Sequence, residues 1–116
     1  MTTSACQGAD PAITNVVSSS SENNGLTHFT LTTTVVNLGS QAQPGNELQS
    51  VDIYLDGVKN GEKGIPPLRA GQQYSFTYDV SRASDAEAGS TKVKLHLVHH
   101  GAQNCNDAKD RYQLKI

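Results

Sequence analysis

The sequence is short of aromatic side chains and has no excess of one charge. It contains no tryptophan, and its aromatic fraction is 5%. It has nine Lys and Arg residues and eleven Asp and Glu residues, which give a formal net charge of −2. No segment approaches the roughly 18 consecutive apolar residues that a membrane-spanning helix needs. A chain without a basic block has little with which to hold a phosphate backbone. From these absences we predict that the protein neither inserts into a membrane nor binds nucleic acid.

Apolar and polar residues alternate through most of the chain, as in strands that bury one face. The alternation predicts seven strands, a weaker one near residues 12–18 and then 27–37, 51–55, 58–63, 73–80, 92–97 and 111–116. Asp56-Gly57 predicts a two-residue hairpin turn, and the proline-bearing segment 64–71 predicts a crossover outside the sheets. We expect the polar stretch 18–25 to be a mobile loop and residues 81–90 to be a second loop.

Seven short strands in a chain of 116 residues predict an all-β fold. The expected architecture is a seven-stranded antiparallel β-sandwich that forms a single domain. Inward positions on five strands form the predicted core, and these are Phe29, Leu31, Val35, Val51, Ile53, Leu55, Tyr74, Phe76, Tyr78, Val80, Val93, Leu95, Leu97, Tyr112, Leu114 and Ile116.

The two cysteines, Cys6 and Cys105, lie near opposite ends of the sequence. Neither belongs to a CxxC pair, so their spacing fits no zinc site. One interpretation is a disulfide that tethers an N-terminal arm, residues 1–11, to the loop before the last strand, in an oxidising compartment. A second is a pair of free thiols in a cytosolic domain. A third is a lipoprotein signal that ends at TSAC, with Cys6 lipidated, although no charged and apolar segment precedes it.

Three segments carry a family resemblance, and they are VVNLGSQA at 35–42, VDIYLDGV at 51–58 and IPPLRAGQ at 65–72. Over residues 12–116 the sequence resembles the bacterial cell-adhesion-related domain family, CARDB. The resemblance implies an immunoglobulin-like sandwich that serves in adhesion or as a spacer, at the cell surface, outside the cell or in the periplasm. The family pattern includes no catalytic residues. It has an Asn-rich turn before the last strand, where this sequence has NDAKD, so a turn-locking network implied by the family is altered here.

Two groups of side chains suggest metal binding. His96 and His100 share the parity of one strand, and His28 has the outward parity of another, so a surface group that holds a transition metal is one hypothesis. The alternative is that these histidines are solvated surface residues. We therefore assign no cofactor to them.

The second group precedes the last strand. Asn106, Asp107 and Asp110 offer the oxygen ligands that calcium takes, but they lack the order of a calcium-binding loop, and caps of a turn explain them equally. We therefore predict that the protein has no cofactor, and calcium bound by this loop is the alternative.

Tyr54 stands on the outward face of the third strand, between Asp52 and Asp56. It belongs either to a binding patch, together with His96 and His100, or to a cross-strand pair. No G-x-S-x-G segment or comparable nucleophile pattern occurs, so we predict that the chain is not an enzyme.

The leading hypothesis is a non-catalytic extracellular or periplasmic module of a bacterial cell-envelope protein, which binds a protein or a glycan or acts as a spacer. The alternatives are an accessory domain of a secreted hydrolase and a structural module that binds calcium. An exposed third or fourth strand would allow a partner strand to pair with it. The charges of Lys59, Glu62 and Lys63 blunt the fourth strand, so we expect a monomer.

Overall fold

The computed structural model describes residues 9–43, 45, 48–87, 89–100 and 111–116. These residues form the strands β1 (Pro11–Asn23), β2 (Leu26–Asn37), β3 (Leu48–Leu55), β4 (Val58–Ile65), β5 (Gln73–Ala83), β6 (Lys92–His100) and β7 (Arg111–Lys115). Within this part of the chain, no helix is long and apolar enough to cross a membrane.

The strands form two sheets, one of three strands in the order β1-β2-β5 and one of four in the order β4-β3-β6-β7. Each neighbouring pair is antiparallel. The buried side chains come from both sheets, so the sheets pack face to face around one core. The predicted all-β, seven-stranded antiparallel sandwich is confirmed.

The core follows the alternation read from the sequence. Its fully covered centre comprises Leu31, Val35, Val51, Ile53, Val93, Leu95 and Leu97, together with Leu68 from the crossover. Leu55, Phe76, Tyr78, Tyr112 and Leu114 pack around this centre while they remain partly exposed. These positions lie near strand ends or on the strands β5 and β7 at sheet edges, where the second sheet covers less of each side chain.

The prediction that Tyr74 belongs to the core is wrong. Its position faces inward opposite Val35 in the β2–β5 register, but its exposed fraction is 36%. Tyr74 lies at the start of an edge strand, so no further strand of the same sheet flanks it. Alternation predicts the direction of a side chain but does not predict how far the neighbouring sheet extends over it.

The prediction of a mobile loop at residues 18–25 is also wrong. Residues 18–23 continue β1 in unbroken register with β2, from Ser18 opposite Leu31 to Asn23 opposite Leu26. Asn24 and Gly25 then turn the chain with φ angles of 54° and 77°. Asn-Gly is a favoured pair in such two-residue turns because both central residues need positive φ. The serine run is therefore one side of a long hairpin.

The second predicted hairpin is confirmed. Asp56 and Gly57, between β3 and β4, have φ angles of 49° and 85°. β3 lies inside its sheet, between β4 and β6, so the prediction of a free edge on the third strand is wrong. The edge strands of this sheet are β4 and β7.

Candidate functional site

The outer face of the four-stranded sheet collects most of the chemistry predicted from the sequence. Its side chains point away from the core because Val51, Ile53, Val93 and Leu95 alternate with them and are buried. We define the outer face by Asp52, Tyr54, Lys59, Glu62, Lys92, Lys94, His96, Arg111, Gln113 and Lys115, which share this side of the sheet in the strand registers.

Tyr54 forms a cross-strand pair on this face. It lies directly opposite Lys94 in the β3–β6 register, and the Lys94 Nζ atom is 4.6 Å from the centroid of the Tyr54 ring. A lysine over an aromatic face is held by the ring quadrupole. The pairing does not decide whether Tyr54 also contacts a partner, so the binding patch stays a prediction.

Lys59 is neutralised by its neighbours on the same face. Its Nζ atom lies 3.6 Å from Asp52 Oδ1 and 3.9 Å from Glu62 Oε1. These partly exposed ion pairs contribute little stability, but the two carboxylates more than balance the charge of Lys59. In the described residues neither ion pair includes a lysine on the other half of the outer face.

That half contains an open groove of about 540 Å³, which we call the lysine groove. It lies along β6 and β7 beside the β3–β4 turn and is lined by Gly57, Lys92, Val93, Lys94, Gln113, Leu114 and Lys115. Val93 is buried and Leu114 is half-buried, so the polar lining comes from the three lysines and the glutamine. The groove is an open depression on a sheet face, lined by three lysines together with Gly57, Val93, Gln113 and Leu114.

His96 and Tyr54 lie on one face, as the predicted patch requires. His96 is opposite Asp52 on β3 and Arg111 on β7, and Asp52 adjoins Tyr54 along β3. His100 ends β6 opposite Leu48, and its side chain is outside the described residues. The patch of Tyr54, His96 and His100 is therefore still a prediction.

The histidine metal hypothesis is wrong where it includes His28. That residue is on β2 in the other sheet, and its Nδ1 atom lies 2.7 Å from Ser81 Oγ across the β2–β5 pair. Two outer faces of a sandwich cannot share one ion. Across the described residues, no group of three or more His, Cys, Asp or Glu side chains could hold a metal. The contact of His28 with Ser81 is exposed, and we interpret it as a surface cross-strand pair.

Five predicted residues lie outside the part of the chain that the structure describes. They are Cys6, Cys105, Asn106, Asp107 and Asp110. The disulfide and the calcium loop therefore stay predictions.

Two of the segments that carry the family resemblance, 35–42 and 65–72, are joined by buried hydrogen bonds. Asn37 is fully buried, and its Oδ1 atom accepts bonds of 2.9 Å from the backbone N–H groups of Asp10 and Gly39. Its Nδ2 group donates to the carbonyls of Gln41 and Leu68, at 2.9 and 3.1 Å. The amide thus joins the end of β2 to the crossover before β5.

The side-chain amides of Gln43 and Gln49 form a pair that holds the same crossover in place. The sequence analysis did not predict this pair. Gln43 and Gln49 donate reciprocally through their amides at 2.9 and 2.8 Å. Gln43 Oε1 also accepts the backbone N–H of Leu68, and Gln49 donates to the carbonyl of Pro66. The parity of Gln49, which continues the inward series of Val51 and Ile53, was the available signal. These contacts give the segments 35–42 and 65–72 a structural role away from the outer face, whereas the segment 51–58 contributes Asp52 and Tyr54 to that face.

A family model for CARDB matches residues 10–102. In the comparison with solved structures, the chain is similar to the CARDB domain of a Pyrococcus furiosus protein, whose crystal structure is described as a complex with di-metal ions. The two share 14% sequence identity at a TM-score of 0.64, and the match covers 99% of this chain and 92% of the other. At that identity the likeness shows the fold alone. The comparison with curated proteins found no match. The family model spans well over half of the sequence, and on that ground the chain belongs to the CARDB family.

Proposed function

We propose that this chain is a non-catalytic binding module of adhesion type, displayed outside the cell or in the periplasm as part of a bacterial cell-envelope protein. The observation that carries the proposal is the CARDB match over residues 10–102. CARDB is a non-enzymatic domain family, and its membership suggests an adhesion-like role.

The distribution of polar groups supports a presenting role. The buried amides Asn37, Gln43 and Gln49 have hydrogen-bond partners within the fold, so they have little left to offer a ligand. The outer face instead carries exposed cations on rigid strands, where side chains are held at fixed spacings. Binding by a rigid sheet face costs little ordering entropy, which favours association.

The test compares binding with accessibility. Antibody raised against the purified domain is applied to intact and to lysed cells of the source organism, and the labelled domain is titrated against isolated cell envelopes. We expect antibody binding on intact cells, or after release of the periplasm, together with saturable binding to envelopes. Antibody binding confined to the cytosolic fraction would contradict the location. Correct location without any saturable binding would leave the spacer role in place of the binding role.

A secreted-hydrolase accessory domain is the rival from another class. The full-length precursor separates the two, because a catalytic domain beside this one would assign it to an enzyme. Flanking adhesion-type modules would support the proposal.

Calcium binding is a second candidate, favoured by the di-metal complex described for the Pyrococcus furiosus domain. Asn106, Asp107 and Asp110 are the residues proposed to supply oxygen ligands. An ion that binds only the native state must raise the melting temperature. We expect a rise on addition of calcium that chelator reverses and that N106A/D107A/D110A removes. A melting temperature unchanged by both calcium and chelator would exclude the site.

A further inference from the structure

Two lysines stand directly opposite each other on the outer face. Lys92 on β6 and Lys115 on β7 are register partners, and Lys94 lies two residues along β6 on the same side. Like charges at directly opposed positions destabilise a pair of strands. In the described part of the chain, the two ion pairs are both made by Lys59, so neither neutralises these three lysines.

The Asp56 carboxylate, next to Gly57 at the groove, is hydrogen-bonded to the backbone. Asp56 Oδ1 accepts the backbone N–H of Lys92 at 2.9 Å, and the Asp56 N–H donates to the Lys92 carbonyl. This contact caps the β3–β4 turn against the start of β6. It fixes the position of Lys92 and leaves its ammonium group at the lysine groove.

From this cluster of three lysines, none of which forms an ion pair in the described part of the chain, we infer that the lysine groove binds a short acidic segment of an extended polypeptide. The inference rests on the proposed binding role and names the partner class. Same-face positions on one strand are about 6.7 Å apart and adjacent strands about 4.8 Å apart. Carboxylates on alternate residues of an extended peptide have the same spacing as Lys92 and Lys94, because both chains are extended. Lys115 meets the same carboxylates from the neighbouring strand.

The carboxylates on one side of the groove favour a peptide over a long polyanion. Beyond Lys94, the outer face continues to His96 and Arg111 along β6 and β7, and to Asp52 and Glu62 on β3 and β4. These two carboxylates would repel a uniformly charged polysaccharide or nucleic acid that extended across the sheet. Towards the other side, β7 is the edge of the sheet. The space between suits a few carboxylates. Gln113, opposite Lys94, offers an amide that can donate to the peptide backbone.

The test measures fluorescence anisotropy of a fluorescein-labelled peptide of alternating Gly and Asp, with a matched peptide of Gly and Asn as its control. Each titration is made at about 50 and about 200 mM salt, because salt screens attraction between exposed charges. We expect the Asp peptide to bind, with weaker binding at higher salt, and the Asn peptide not to bind. K92Q/K115Q is expected to weaken binding about tenfold. The control K63Q/R69Q removes two cations outside the groove and is expected to change binding by less than about twofold.

A further variant separates binding from folding. K115E replaces the opposed cations with an ion pair across β6 and β7, so we expect the melting temperature to rise by about 1–3 °C. The same change should abolish binding of the Asp peptide. Loss of binding together with a raised melting temperature shows that the lysine serves the partner at a cost in stability.

The assignment is overturned if the Asn peptide binds as well as the Asp peptide, or if K92Q/K115Q binds like the wild type. Tighter binding of polygalacturonate than of the Asp peptide, lost in K92Q/K115Q, would assign the groove to an anionic glycan and overturn the peptide. If K92Q/K115Q still binds cell envelopes as the wild type does, the groove is wrong and the binding role stands. If the wild type binds neither envelopes nor peptide, both fail.

Discussion

Two buried polar side chains on β2 differ in their hydrogen bonding. Asn37 is fully hydrogen-bonded and, among the described residues, the Thr33 hydroxyl is not, so the two side chains affect stability in opposite ways. Asn37 makes four side-chain hydrogen bonds at the end of β2. Thr33, on the same face of the same strand, is fully buried, and its Oγ1 atom has no hydrogen-bond partner among the described residues. A paired buried group supports the fold, whereas an unpaired one opposes it.

Replacement of Asn37 by alanine should be strongly destabilising. N37A removes the shared partner of four backbone groups in three segments, so we expect a loss of about 3 kcal/mol in the free energy of unfolding. Urea denaturation followed by circular dichroism measures it. N15A, at an exposed position of β1, is the matched control and should cost less than about 0.5 kcal/mol. Equal losses in the two variants would contradict the role assigned to Asn37.

Replacement of Thr33 by valine should be stabilising. T33V keeps the shape of the side chain and removes a hydroxyl that has no partner in the described part of the core, so we expect a gain of about 1 kcal/mol. T32V makes the same change on the exposed side of β2 and should stay within about 0.5 kcal/mol of the wild type. A destabilised T33V, measured in the same urea titration, would indicate that the hydroxyl is satisfied in solution.

The strands β2, β3, β5, β6 and β7 were largely predictable because one face of each is mainly apolar. Leu31, Val35 and Ile53 occupy the core positions that alternation assigns to them. The extension of β1 through residues 18–23 was not predictable in this way, because serine on both faces gives no alternation. Its pairing depends on backbone hydrogen bonds to β2 and on the turn at Asn24-Gly25, a signal that the sequence does contain.

The lysine groove could not be predicted from the alternation of apolar and polar residues alone, because that alternation does not give the register between strands. The sequence predicts that Lys92 and Lys94 face outward on one strand. The opposition of Lys92 and Lys115 requires the β6–β7 register, which follows from the way the two strands share the core through Val93 and Leu114. A one-residue slip would turn Lys115 inward, so burial fixes the register.

The turn between β3 and β4 should depend on glycine at one position. Gly57 has a φ of 85°, and open space surrounds the place that a Cβ atom would take there, whereas Gly64 on β4 has equal space without a left-handed φ. G57A should therefore cost about 1 kcal/mol from backbone strain alone, and G64A should be nearly neutral. Thermal unfolding of both variants measures the difference, and equal melting temperatures would show that the turn adopts another conformation.

Across the whole molecule, the buried amides and the exposed cations occupy different places. The buried amides lie where β2, β3 and the crossover meet, and the exposed cations lie on the outer face of the four-stranded sheet. The edges of that sheet are protected against pairing, because β4 carries Lys59, Glu62 and Lys63 and β7 has five residues. Charged and short edge strands resist association, but β1 and β5 are long edges of the other sheet, so the monomer stays a prediction.

The two sheets are also joined by the side chain of Arg82, and its removal is the clearest test of how they are held together. Arg82 on β5 donates through Nη1 to Thr91 Oγ1 at 2.8 Å and to the main-chain oxygen of Ile116, and its guanidinium lies 4.8 Å from the centroid of the Phe29 ring. R82M keeps an apolar stem but leaves both acceptors without this donor, so we expect a loss of about 2 kcal/mol in the free energy of unfolding. R69M, at an exposed crossover position, should change it by less than about 0.5 kcal/mol. Urea titration of the two variants decides the matter: an R82M midpoint equal to that of R69M would mean that packing of the core alone holds the sheets together.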